Sequence, residues 1–106
     1  MKQSFTKLIK ADPDAFYMSC PEIVGKHIAQ RLHDFGFKTA IELCCAVGAL
    51  TVQLAQKLDF ATGIDIDLNR IESAKYNAAL YGVEDKTAFI RDDVLDENIL
   101  KKWKLE

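Results

Sequence analysis

The sequence predicts an α/β fold built on a small parallel sheet. Three observations carry this. Short, strongly apolar or β-favouring runs recur at Thr39 to Cys45, Phe60 to Ile64 and Thr87 to Arg91. Stretches with helical spacing of apolar residues, 48–58 and 68–81, lie between them. Strands alternating with helices at this spacing mean parallel pairing through right-handed crossovers. The expected strand order is 3-2-1, with helices distributed over both faces.

Taken in order, residues 1–20 form an N-terminal arm of irregular pattern, in which Asp12-Pro13-Asp14 signals a turn. Pro21 opens a helix over 21–35, with Cys20 as formal N-cap or Ser19 in its place. Val24, Ile28, Leu32 and Phe35 form its apolar face, and Gly36 stops it. The run Thr39 to Cys45 reads as a strand buried on both faces. The next helix, 48–58, turns Val52, Ala55 and Leu58 inward. The second strand ends at Asp65. The helix over 68–81 carries Ile71, Ala74, Ala78 and Tyr81 on one stripe and stops at Gly82. A last helix is expected over 96–103, using Ile99, Leu100 and Trp103.

Composition narrows the function. The chain has 106 residues, 49% of them hydrophobic and 28% charged, with a formal net charge of -2. That fits one small globular domain and excludes global disorder. No apolar run reaches the roughly 20 residues of a membrane span, and Lys2, Lys7 and Lys10 precede no signal-peptide core. Near-neutral charge gives no support to non-specific nucleic-acid binding, while leaving a specific RNA substrate open. Cys20, Cys44 and Cys45 have no metal-ligand spacing, so no metal site is expected. Cys44 and Cys45 read as reduced core thiols of an intracellular protein.

The informative stretch is Glu42-Leu43-Cys44-Cys45-Ala46-Val47-Gly48-Ala49. A buried strand passes through a tight turn directly into a helix. In open parallel sheets, ligands sit outside the carboxyl ends of the strands, where small residues let backbone approach them. Asp65 ends the second strand, 17 residues after Gly48. A carboxylate there suits the two hydroxyls of a ribose. Asp93, past the third strand, could accept from an exocyclic amine, with Ile66 and Val94 as apolar walls for the ring.

Together these segments resemble the class I S-adenosylmethionine-dependent methyltransferases, and among them the RNA cap guanine-N2 methyltransferase family. That family's first turn reads Asp-x-Phe-Cys-Gly-Val-Gly-Gly, against Glu42 to Ala49 here. Its Ile-Asp-Ile-Asp-Pro matches Ile64-Asp65-Ile66-Asp67-Leu68, and its Ala-Arg-x-Asn-Ala matches Ala74-Lys75-Tyr76-Asn77-Ala78. Tyr81-Gly82-Val83-Glu84-Asp85-Lys86, the third segment Phe89-Ile90-Arg91-Asp92-Asp93 and the helix start Cys20-Pro21-Glu22-Ile23 also have counterparts. The likeness covers roughly residues 16–95. It implies the Rossmann-like half of a doubly wound parallel sheet with an N-terminal helix, 21–106 being a partial methyltransferase domain.

The resemblance also implies S-adenosyl-L-methionine as cofactor and RNA as substrate. Glu42, Cys44, Ala46 and Gly48 would line the first turn, with Glu42 and Gly48 at the methionine end. Asp65 would hold the ribose, Ile66 and Val94 the adenine, and Asp93 its amine. Two family glycines are Ala46 and Ala49 here. If Ala46 adopts positive φ, its Cβ costs on the order of 1 kcal/mol. The family's catalytic Asn/Ser-Pro-Pro-aromatic segment has no counterpart before Glu106, so only the cofactor half is expected, without turnover by itself. A non-catalytic subunit or scaffold is the alternative reading. A nicotinamide dinucleotide module would want G-x-G-x-x-G, and two of its three glycines are missing.

Several polar residues have plainer readings. Asp67 and Asn69 read as helix caps, Asn77 as a structural hydrogen-bonder and Asp92 as solvated. Trp103 reads as core or interface, and Lys101, Lys102 and Lys104 as a solvated tail. His27 and His33 lack catalytic partners. The first strand would be a sheet edge, open to self-association or to pairing with another chain unless residues 1–20 cover it.

Overall fold

The computed structural model describes residues 5–103. Lys104 and the packing of Leu100 lie outside the described residues. The elements are α1 (Pro13–Met18), α2 (Glu22–Asp34), β1 (Thr39–Leu43), α3 (Ala49–Lys57), β2 (Phe60–Asp65), α4 (Leu68–Leu80), β3 (Thr87–Arg91) and α5 (Ile99–Lys102), with a 3-10 turn at Glu84–Lys86. The sheet has the order β1-β2-β3, all parallel, with β2 in the middle. This is the expected 3-2-1 arrangement read from the other side.

The register explains the core. Ala40 pairs with Ala61 and Ala61 with Thr87; Glu42 pairs with Gly63 and Gly63 with Phe89. These positions share one face, and Ala40, Ala61 and Phe89 pack with residues of α2, α3 and α4 in a single cluster. Two right-handed crossovers taken in the same direction place both helices on the same side. Hence α2, α3 and α4 form one layer, and the expected division of helices over both faces is corrected for these three. The other face carries Ile41, Leu43, Thr62, Ile64, Ala88 and Ile90. Leu43 there is 41% exposed, so β1 is not buried on both faces as its apolar run suggested.

Local differences have physical causes. Asp12-Pro13-Asp14 is a helix start: Asp12 Oδ2 accepts from the Ala15 amide, and Pro13 takes the first helical position of α1. Pro21 is itself the N-cap of α2, with no side-chain cap, and Ser19 Oγ bonds back to Ala15. The buried face of α2 is Glu22, Gly25 and Ala29; Val24 and Phe35 are exposed, against expectation. Gly25 sets this rotation. A Cβ there would stand 2.9 Å from Gln53 Cγ on α3, so the helices approach closely at Gly25, while Ile28 and Leu32 pack at the margin of the core as expected. Asp67 caps α4 as predicted, accepting from the Asn69 and Arg70 amides; Asn69 is thus capped rather than capping.

β1 hydrogen-bonds to β2 and lies at the sheet edge. The described part of the arm anchors elsewhere. Thr6 donates to Glu22 on α2, and Lys10 and Asp12 bind Asn77 and Arg70 on α4.

Candidate cofactor site at the strand tips

Between β1 and α3 the chain turns through residues 44–48. Ala46 has φ 49, so the condition for a strained Cβ there is met, and Gly48 has φ 79. Cys44, at φ 62, is left-handed too, and no local pattern announces it. A left-handed non-glycine residue costs about 1–2 kcal/mol and persists only where neighbours over-determine it. Here they do. The Cys45 amide donates to Ile64 O at 2.9 Å, the Gly48 amide to Cys45 O at 2.9 Å and the Ala46 amide to Asp65 Oδ2 at 2.8 Å. Asn77 Nδ2 donates to Val47 O at 2.9 Å. Gly48 has no room for a side chain: a Cβ would stand 3.0 Å from Ala74 Cβ and from the Phe89 ring.

The two cysteines separate. Cys45 is buried against Gly63, and burial pushes its thiol well above the usual range. Cys44 is exposed, which corrects its reading as a core thiol. Positive φ reverses the alternation of the strand and turns Cys44 to the surface.

Replacing Ala46 with Gly should raise stability slightly. The relief of about 1–2 kcal/mol exceeds the roughly 0.4–1 kcal/mol lost to a freer unfolded chain. A urea midpoint below that of the natural chain would contradict this account of the turn.

Two carboxylates flank the turn. Glu42, on β1, accepts from Thr51 Oγ1 at 2.5 Å. Burial pushes its pKa up from 4.5 to about 7; Thr51 opposes the shift and the nearby Asp65 charge adds to it. Asp65, buried at the end of β2, accepts from the Ala46 amide through Oδ2 and from the Asp67 amide at 3.0 Å through Oδ1. A carboxylate offers about four lone-pair sites, so roughly two remain for a ligand. That is what a ribose diol requires.

The neighbouring tips supply the rest. Ile66 is 56% exposed after β2, and Val94 is half-buried after β3. Arg91 Nε donates to Ile66 O at 3.0 Å and holds the two tips together. Asp93 is exposed; its Oδ1 accepts from the Leu95 amide in a tight turn, leaving Oδ2 uncommitted there. Asp92 is not solvated as its sequence suggested. Its side chain is 14% exposed, with Lys102 Nζ at 2.8 Å and Trp103 Nε1 at 3.3 Å, and the Lys102 ammonium holds its pKa below the usual range. Trp103 is half-buried and spends its N–H on this contact.

The structure therefore joins Glu42, Ala46, Gly48 and Asp65 around one turn, with Ile66, Asp93 and Val94 on the adjoining tips. Sequence reasoning misses Thr51, which caps Glu42, and the reach of Asn77 to the turn. A signal for Asn77 exists. It falls on the inward stripe of α4 beside Ala74 and Ala78, where a polar side chain must find buried partners.

Residues 37–106 match the sequence profile of the RNA cap guanine-N2 methyltransferase family. The chain belongs to this family. Among curated relatives, the tRNA (uracil-5-)-methyltransferase homolog B of Danio rerio is 28% identical over 74 residues, 67% of this chain and 15% of that protein. The ribosomal protein L11 methyltransferase of Shewanella pealeana is 41% identical over 78 residues, 63% of this chain and 26% of that protein. Thus the chain spans about a quarter or less of the length of these relatives. In fold, it superposes on the O-methyltransferase TomG of Streptomyces achromogenes, solved with S-adenosylmethionine, at a TM-score of 0.71 and 19% identity, covering 90% of this chain and 48% of TomG.

The chemistry of these residues is compatible with an adenosyl group. Among the described residues Asp65 accepts two backbone bonds, and Ile66 and Val94 are accessible apolar side chains on the adjoining strand tips.

Proposed function

We propose that this chain is the S-adenosylmethionine-binding portion of an RNA methyltransferase whose acceptor is the N2 amine of a cap guanine. The observation that carries the proposal is coincidence. The family match spans the segment that holds Glu42, the strained turn, Asp65 and the β3 tip. When bound, the cofactor would supply an electrophilic methyl group: the acceptor nitrogen would form a C–N bond as the C–S bond breaks, leaving the neutral thioether and releasing one amine proton to solvent.

The chain's own residues bind and orient. Asp65 accepts from the ribose hydroxyls, Ile66 and Val94 flank the adenine, and Asp93 accepts from its amine. Glu42 would line the methionine end, where the positive charge of the cofactor's ammonium would favour the ionised carboxylate. Catalysis of this kind rests on positioning two reactants rather than on a covalent intermediate. An intracellular setting suits the free thiols of Cys20, Cys44 and Cys45. Pairing through the open edge of β1, with another copy or another chain, is favoured by its position in the sheet.

Thermal unfolding with S-adenosylhomocysteine or NAD tests the cofactor. At a hundredfold excess over its dissociation constant, S-adenosylhomocysteine adds about 2.7 kcal/mol of stability, and NAD adds none. Equal shifts from the two ligands would refute the reading. Capped and uncapped RNAs of one sequence then test the acceptor. Tighter binding of the capped RNA supports cap recognition; equal binding points to another RNA site.

A further inference from the structure

We propose that Asn77 is a positioning residue for the cofactor turn and that the N-terminal arm is its partner, so that arm docking and cofactor binding favour each other. The inference rests on the cofactor reading above. Asn77 is 1% exposed and spends its whole amide group on two distant segments. Oδ1 accepts from the Lys10 amide at 2.6 Å, and Nδ2 donates to Lys10 O at 2.9 Å and to Val47 O at 2.9 Å. Both Nδ2 protons are thereby used.

The arm and the turn select the same orientation of this amide. The Lys10 N–H meets Oδ1, so a flipped amide would face donor with donor. With the amide fixed, Nδ2 must point at Val47. The Val47 carbonyl lies between Ala46 at φ 49 and Gly48 at φ 79, in the middle of the strained turn. A strained turn persists through the contacts that pin it. The bond from Asn77 ties this turn to α4, and the two bonds to Lys10 hold the amide in the orientation that bond needs. A ligand that requires the turn in this conformation must then favour the docked arm, because binding couplings are reciprocal. Thr6 on Glu22 and Asp12 on Arg70 tether the arm on either side of Lys10, so the arm is placed to transmit the effect.

Amide hydrogen exchange of the full chain, with and without saturating S-adenosylhomocysteine, is the test. The Lys10 amide should exchange about tenfold more slowly with the ligand, and Asn77→Ala should abolish that difference. With Lys10 exchanging by local opening of the arm rather than by global unfolding, a side chain with a purely structural role would leave that exchange independent of the ligand. Lys10→Pro removes the arm's donor while keeping Asn77, and should weaken S-adenosylhomocysteine binding about tenfold. Combined with Asn77→Ala it should add little, since both changes cut one connection. If Asn77→Ala does not fold, Lys10→Pro and exchange in the natural chain decide. Ligand binding with unchanged Lys10 exchange overturns the coupling alone. No binding of S-adenosylhomocysteine by the natural chain overturns the cofactor reading and the coupling with it.

Discussion

Glu42→Gln is expected to stabilise the protein by about 3 kcal/mol near pH 8 and to leave it almost unchanged near pH 4. Burial and the Asp65 charge raise the Glu42 pKa from 4.5 to about 7. Between those values the folded state holds a proton that the unfolded state has released. Stability contributed by the protonated carboxyl is therefore full below about 4.5, falls as pH rises toward 7, and is gone above it. Gln keeps the carbonyl that accepts from Thr51 Oγ1 and carries no charge to bury. Urea unfolding across this range should show the natural chain losing stability while the variant stays level. Parallel curves would mean that Glu42 ionises freely in the fold. The same substitution should weaken S-adenosylmethionine binding, because the ammonium of the cofactor loses its counter-charge. Stability and ligand affinity then move in opposite directions, which marks a residue kept for binding.

The parts of the fold legible in the sequence are those with strong local signals. β3 and α4 are bounded within a residue, because Gly82 ends one and a compact β-favouring run defines the other. Asp65 stands out because an acid ending an apolar run needs a partner wherever the strand goes. Asp12-Pro13-Asp14 is ambiguous, because the same three residues make either a turn or a capped helix start, and only the packing of Ala15 decides between them. The face of α2 is half legible: Ile28 and Leu32 pack on the core, while the close approach of Gly25 to Gln53 centres the contact on Gly25 and Ala29 and leaves Val24 and Phe35 exposed. The clasp of Lys102 and Trp103 on Asp92, and that of Lys10 on Asn77, join residues through the folded chain. The second pair is 67 residues apart in sequence, so no local pattern announces it.

Asp65→Ala should both destabilise the chain and remove its response to cofactor, and the two effects can be separated. The carboxylate accepts from the Ala46 and Asp67 amides, one bond per oxygen. Losing two bonds to a charged acceptor costs about 3–6 kcal/mol, and the bond lost at Ala46 also helps hold a left-handed residue in place. The response to S-adenosylhomocysteine is measured against each variant's own baseline, so the baseline loss does not enter it. The natural chain should gain about 2.7 kcal/mol at a hundredfold excess, and the Ala variant close to nothing at the same concentration. Asp65→Asn sharpens the test. Its carbonyl can still serve one backbone amide, so it should recover about half of the lost stability, while its NH2 group cannot accept from a ribose hydroxyl. The Asn variant should therefore fold better than the Ala variant and still respond weakly to ligand. A full ligand response in the Asn variant would leave Asp65 as a brace of the turn and move the ribose to another acceptor.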